Sequence, residues 1–275
     1  MTSGEGVVGA AGPAGPAGGR RTLLAPAKLT VSLRVTGVRP DGYHELDAVM
    51  VALSLADELV FDPEGSGLFV EAAAGVRAEG LPAPGRNLVT AALAACGRRA
   101  AVRLTKRIPL GGGLGGGSAD AAAVLRWAGV TDLAVAARLG SDVPFCLVGG
   151  RARVQGVGEV VTPLPFEARD YLLLLPPFGV DTARVYRAWD EDPADAGVNA
   201  LTAAALAVEP RLVPWRDALG ELSGTEPVLA GSGSTWFVPN GPPEAGTATM
   251  AALQLGDETA RLLKVRTVPA GWEGD

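Results

Sequence analysis

Apolar and polar positions alternate with a period of two over residues 30–36. Val31, Leu33 and Val35 share one face, and Thr30, Ser32, Arg34 and Thr36 share the other. That period predicts a half-buried strand. Pro40-Asp41-Gly42 follows with turn chemistry: a fixed φ, a side chain that bonds its own backbone, and a residue tolerant of positive φ. Extended segments are predicted over 44–55, 58–62, 68–73 and 101–105. The pattern becomes helical over 87–95, where Leu88, Ala91, Ala92 and Ala95 share a face and Asn87 is placed to cap. Further helices are predicted over 118–127 with Ser118 as N-cap, over 131–139, after Thr182, over 199–208 and over 214–222. Pro144 is expected to stop helix beside the Asp142 carboxylate. The chain continues with strands over 151–155 and 171–175 and a small-residue loop between two strand-like runs over 228–238. A helix over 258–264 and a strand over 265–268 are expected to close it. Strands and helices mix without regular βα alternation, so the expected class is α+β rather than a doubly wound sheet. A boundary near residues 155–165 gives two lobes, between which a ligand cleft would lie.

Residues 1–20 are rich in Gly, Ala and Pro, with the repeat Gly12-Pro13-Ala14-Gly15-Pro16-Ala17. Two triplets cannot form a collagen helix, and the segment lacks the apolar centre of a signal peptide. It is expected to be a disordered extension. Only Cys96 and Cys146 are present, far apart, which fits a reducing cytoplasm. With one histidine, His44, a His-based zinc site is not expected. A net charge of −6 argues against a general nucleic-acid binder, and no apolar run is long enough to span a membrane.

Six glycines fall between Gly111 and Gly117, interrupted only by Leu114, directly before an apolar helical run. Fixing so many glycines costs backbone entropy, and close approach of backbone N–H groups to an anion gives a reason for it. A helix start adds unpaired donors and the positive end of a dipole, so a phosphate-binding loop is predicted, with a structural turn as the alternative. Gly111, Gly113 and Gly116 satisfy Gly-x-Gly-x-x-Gly, but Arg103, Lys106 and Arg107 interrupt the strand that a dinucleotide fold would need to be apolar. Ser118 follows Gly117 with no lysine between, which excludes a Gly-x-x-x-x-Gly-Lys-Ser/Thr loop. Lys28, Asp142 and His44, each taken alone, read equally well as a solvated strand end, a loop carboxylate and a satisfied histidine.

Five runs occur in one order: Ala25-Pro-Ala-Lys-Leu29, Arg39-Pro-Asp-Gly-Tyr-His-Glu-Leu46, the Ile108 to Asp120 glycine loop, Gly140-Ser-Asp-Val-Pro-Phe145 and Gly231-Ser-Gly-Ser-Thr235. Over residues 22–270 this resembles the GHMP small-molecule kinases. The resemblance implies a two-lobed fold, with a ribosomal S5 domain 2-like lobe over 21–160 and a ferredoxin-like lobe over 161–275. It implies ATP and Mg²⁺ as cofactors and Lys28 and Asp142 as the catalytic pair. Pro109, Gly111, Gly112, Gly113, Leu114, Gly115, Gly116, Gly117 and Ser118 would hold the nucleotide. Thr30, Tyr43, His44, Thr182, Tyr186, Gly231 and Ser232 would hold the acceptor. The Pro-Asp-Gly-Tyr-His and Gly-Ser-Asp-Val-Pro-Phe segments point to the branch acting on a cytidine diphosphate-linked methylerythritol. The implied protein is a monomer or homodimer whose partner is that small molecule, not nucleic acid or membrane. Thr30 replaces the family's usual asparagine, Ala200 a common aspartate and Gly112 a frequent alanine. A weakened nucleotide-binding module and a kinase for another small alcohol stay open as alternatives.

Overall fold

The computed structural model describes residues 19–73, 76, 84–193, 197–239 and 250–274. Most of the 1–20 extension expected from sequence lies outside them. The first sheet is built around two long antiparallel strands, β1 (Arg21–Val38) and β2 (His44–Asp62), joined at the Pro40-Asp41-Gly42 turn. The 44–55 and 58–62 segments are therefore one strand. One edge of β2 pairs with β1 throughout. Its other edge pairs first with β5 (Arg151–Gly156) and then with β4 (Ala101–Lys106). β3 (Gly67–Ala72) joins β4 in parallel, and β6 (Val160–Pro163), which the sequence pattern did not reveal, joins β5.

The expected alternation in β1 is broken by register shifts between Pro26 and Lys28, between Thr30 and Ser32, and between Val35 and Gly37. Leu33 is buried as predicted, but Val31 and Val35 are only half-buried, while Lys28 and Thr30 are buried. A bulge reorients neighbouring side chains, and here it carries two polar groups inward.

Helices α2 (Gly116–Trp127) and α4 (Val143–Val148) pack on this sheet, and α1 (Leu88–Ala95) and α3 (Leu133–Leu139) pack on them. Asn87 caps α1 as predicted, its side chain accepting from the Val89 N–H at 2.9 Å. α2 is buried almost all round, and its alanines let neighbours approach closely. Two expectations are corrected here. Ser118 is not the N-cap of α2: the helix begins at Gly116, and Gly115 caps it in the left-handed region at φ 66°. Pro144 does not end a helix but sits in the first turn of α4, where its missing N–H is no loss.

The second sheet is antiparallel, in the order β10 (Met250–Leu255), β11 (Glu258–Arg266), β7 (Asp170–Leu175), β9 (Trp236–Pro239), β8 (Val228–Leu229). The helix expected over 258–264 is thus a strand. Pairing on both edges, with β10 and β7, overrides the helical composition of Glu-Thr-Ala-Arg-Leu-Leu-Lys. Helices α5 (Thr182–Glu191), α6 (Thr202–Val208) and α7 (Leu212–Ser223) belong to this half, α6 starting later than the expected 199. Isolated bridges Leu33–Asn199 and Leu53–Thr267 tie the two halves together, with Val268 N–H donating to Ala52 O at 2.9 Å. The class is α+β, as expected. Among the described residues, no helix is long and apolar enough to cross a membrane.

Candidate active site

The glycine loop between β4 and α2 folds as it does because three alternate residues, Gly111, Gly113 and Gly115, take φ values of 73°, 72° and 66°. A side chain at such positions is strained, whereas glycine is not. Leu114, between them, is fully buried and anchors the loop, and its carbonyl accepts the Lys28 N–H at 3.0 Å. The loop thus hands its backbone to the entrance of α2, a 12-residue helix whose first N–H groups and dipole face whatever the loop encloses. Alternating backbone geometry of this kind forms a concavity suited to phosphate.

Lys28 Nζ lies 3.4 Å from Asp142 Oδ2 and donates to Thr30 Oγ1 at 3.1 Å. Lys28 is buried, while the Asp142 side chain keeps 28% of its surface. Asp142 is carried at the start of α4, and its neighbour Ser141 is packed against the β5–β6 turn. A Cβ at Gly158, where φ is 113°, would collide with the Ser141 carbonyl. Burial pushes the Cys146 thiol, one turn into α4, up to about 12, with the Asp142 charge adding to the effect. A thiol so raised stays protonated.

The loop over 231–235 closes the third side. A Cβ on Gly231 would stand 3.9 Å from Lys28 Nζ and 3.8 Å from Thr30 Oγ1, and one on Gly113 would meet the Ala230 and Gly233 carbonyls below 3.0 Å. Ser232 and Thr182 share a hydroxyl hydrogen bond at 2.8 Å. Sequence reasoning missed the residue that holds this loop. Asn199 Nδ2 donates to Leu229 O at 2.9 Å and Gly231 O at 2.7 Å, and its Oδ1 accepts from the Leu201 N–H at 3.0 Å. Its side chain is buried among backbone groups rather than capping a helix.

His44 sits 4.5 Å from the Tyr186 ring, centroid to centroid, with Trp189 edge-on at 5.8 Å. Its Nε2 lies 2.7 Å from Asp190 Oδ1. Tyr186, Trp189 and Asp190 follow helical i, i+3, i+4 spacing on α5, a signal that could have named the last two from sequence. Burial raises the Tyr186 phenol well above its ordinary range, so it stays protonated. Tyr43 is 64% exposed and its N–H is held by Asp41 Oδ1 at 3.1 Å. The structure therefore brings Lys28, Thr30, Asp142, the glycine loop, Gly231 and Ser232 together. It pairs His44 with Tyr186 on an adjoining wall and leaves Tyr43 at the rim. Ala200 is buried and spends its N–H on Leu33 O, so no carboxylate stands there.

Comparison with known proteins gives this geometry a family. Residues 87–150 match the family described as GHMP kinases N terminal domain. The 4-diphosphocytidyl-2-C-methyl-D-erythritol kinase of Pelotomaculum thermopropionicum is 38% identical over 286 residues, covering 90% of this chain and 97% of the relative. A solved 4-(cytidine 5'-diphospho)-2C-methyl-D-erythritol kinase superposes with a TM-score of 0.64 at 36% identity, over 79% of this chain and 89% of that one. A homoserine kinase from Cytophaga hutchinsonii, at 19% identity and a TM-score of 0.53 over 82% and 86%, shares the fold. The chain belongs to the 4-diphosphocytidyl-2-C-methyl-D-erythritol kinase family of the GHMP kinases.

Proposed function

We propose that this chain transfers the γ-phosphoryl group of ATP to the 2-hydroxyl of 4-diphosphocytidyl-2-C-methyl-D-erythritol, releasing ADP. The observation that carries the reading is the Lys28–Asp142 pair, 3.4 Å apart, set against the backbone of the glycine loop in a chain of this family. Phosphoryl transfer asks the protein for positioning and charge neutralisation more than for covalent chemistry. The loop N–H groups and the start of α2 hold the phosphates. Asp142, partly open to solvent, accepts the acceptor hydroxyl's proton. The hydroxyl oxygen bonds to the γ-phosphorus as the bond to the β,γ-bridging oxygen breaks. Lys28, buried and fixed by Thr30, places its Nζ beside the carboxylate and the transferred group. Mg²⁺ supplies further neutralisation of the phosphates when bound. In this reading the Mg²⁺ travels with the nucleotide. The His44–Tyr186 wall, with Tyr43 at the rim, suits a cytosine ring. The unbridged state of Cys96 and Cys146 supports a cytoplasmic setting.

The test is ADP release with this substrate beside mevalonate, homoserine and galactose. Selective turnover of the cytidine compound supports the assignment, and equal or better turnover of any of the other three overturns it.

A further inference from the structure

Beneath the glycine loop lies a buried ionic cluster that the transfer chemistry does not use. Lys106, the last residue of β4, donates to both Asp57 Oδ2 and Asp120 Oδ2, the latter at 2.7 Å. All three side chains are at least 95% buried. Asp57 Oδ1 also accepts the backbone N–H groups of Arg107 and Ile108, the latter at 2.8 Å, as the chain leaves β4 for the loop. Asp120 stands in the second turn of α2, and its Oδ1 is buried without a hydrogen-bond partner. The cluster reaches the loop itself: a Cβ on Gly116, the first residue of α2, would stand 3.2 Å from Lys106 Nζ.

These contacts bracket the loop. Asp57 fixes the strand end from which it departs, Asp120 fixes the helix in which it ends, and Lys106 couples the two. The charge balance is uneven, with two carboxylates facing one ammonium. A buried, uncompensated negative charge is costly, and it would lie under the donors that must meet a triphosphate. We propose that Lys106 and Asp120 are positioning residues for the nucleotide. With Asp57 they hold the phosphate loop in its receptive shape, and an electrically balanced cluster beneath the loop lets it grip ATP. This rests on the kinase reading above.

The environment favours the protonated form. Burial is the first cause that pushes Asp120 up, to about 8, ahead of the opposing pull of Lys106, while Asp57 adds to the rise. The proton belongs to the pair of carboxylates as a unit. Asp57 also accepts two backbone N–H groups besides Lys106. The Cys146 thiol on α4 is electrostatically coupled to it and also to Lys28 on β1. Arg138 is the charged residue of α3, and α1 carries none.

The sign follows. Loss of the shared proton places a negative charge below the phosphates, so ATP affinity falls as pH rises. By reciprocity, ATP binding at alkaline pH draws a proton onto the pair. The test measures KM for ATP and kcat from pH 6.5 to 9, with calorimetric titration of ADP at pH 8 in two buffers of different ionisation enthalpy. Wild type and Asp120→Asn are compared, because asparagine keeps the shape and an acceptor for Lys106. In wild type, KM for ATP should rise about tenfold across the range, the size expected of one charge acting through partly screened protein. ADP binding should take up a fraction of a proton. In Asp120→Asn the KM profile should flatten and the uptake vanish, with the effect on KM rather than kcat. Lys106→Met, if it folds by circular dichroism, should bind ADP at least tenfold more weakly. If it does not fold, the Asp120→Asn comparison decides. Wild type that binds nucleotide with pH-independent KM and no proton uptake, or a variant that keeps both, overturns the inference alone. Wild type that binds no nucleotide overturns the kinase reading and this inference with it.

Discussion

Gly115 lies so close over Lys28 that a Cβ there would come within 2.7 Å of Lys28 Cγ. The nucleotide loop and the candidate catalytic lysine are therefore one packed unit, and backbone conformation in the first sets side-chain position in the second. Gly115→Ala should act twice. A φ of 66° strains any L residue by about 1–2 kcal/mol, and the methyl group would displace Lys28. We expect kcat/KM for ATP to drop at least about tenfold, with thermal unfolding moved down. Gly117→Ala is the stability control, because its Cβ would meet only Leu88 at an ordinary 3.6 Å. Equal melting losses in both would remove the special role of Gly115.

Asp142→Asn keeps the size of the side chain and removes its capacity to take a proton. A positioned general base contributes about 10²–10⁴-fold, so kcat should fall by that order while ATP binding survives. Turnover near the wild-type rate would take Asp142 out of the mechanism.

Asn199→Ala removes both donors to Leu229 O and Gly231 O and leaves two carbonyls buried without them. Each unsatisfied group of this kind costs about 1–3 kcal/mol. The midpoint of urea unfolding should fall accordingly, and KM for the acceptor should rise as the loop over 231–235 loosens. Unfolding at the wild-type midpoint would show that Asn199 does not hold that loop.

His44 Nε2 beside Asp190 Oδ1 favours the tautomer that donates there, which leaves Nδ1 as an acceptor for a base edge. Asp190→Ala should raise KM for the cytidine substrate about tenfold, the worth of one lost hydrogen bond to a charged group, and move KM for ATP much less. A parallel change in both constants would count against a role in base recognition.

The buried carboxylate also sets a pH dependence of stability. Asp120 rises from an ordinary 3.8 to about 8 in the folded protein, with burial the leading cause. Between those values the folded chain keeps a proton that the unfolded chain has released, so stability falls as pH rises. The limiting slope is about 1.4 kcal/mol per pH unit for one proton. Lys106 is also raised, by its two carboxylate partners against the opposing effect of burial, and its contribution is complete below 10.5. Urea unfolding at pH 5, 6, 7 and 8 should show the decline in wild type and a shallower one in Asp120→Asn. Parallel lines would refute it.

Much of this was legible in the residues because local physics decided it. The extended segment over 30–36, the Asn87 cap and the glycine loop ahead of α2 stand where the sequence places them, though bulges break the alternation in β1. What escaped depends on distant partners. Residues 258–264 become a strand by pairing with β10 across the Gly256-Asp257 turn, a local signal the helical composition hid, and with β7, nearly a hundred residues away, which sequence does not show. Nor does sequence reveal that Asn199 grips carbonyls thirty residues on, or that Asp57, Lys106 and Asp120 converge. Charged residues within apolar runs were the available hint for the last. Lys28 shows the limit most clearly: alone it reads as a strand-end lysine, and only the bulges in β1 make it a buried one.

The bridges Leu33–Asn199 and Leu53–Thr267 bear on how the protein comes to be active. Lys28 and Asp142 precede Gly231 and its clamp Asn199 in the chain, so the site closes only when segments distant in sequence meet. Contacts so distant in sequence form slowly, since loop closure must precede any reward. A refolding chain should regain native secondary structure before it regains turnover, so catalysis serves as a clock for the docking of the two sheets.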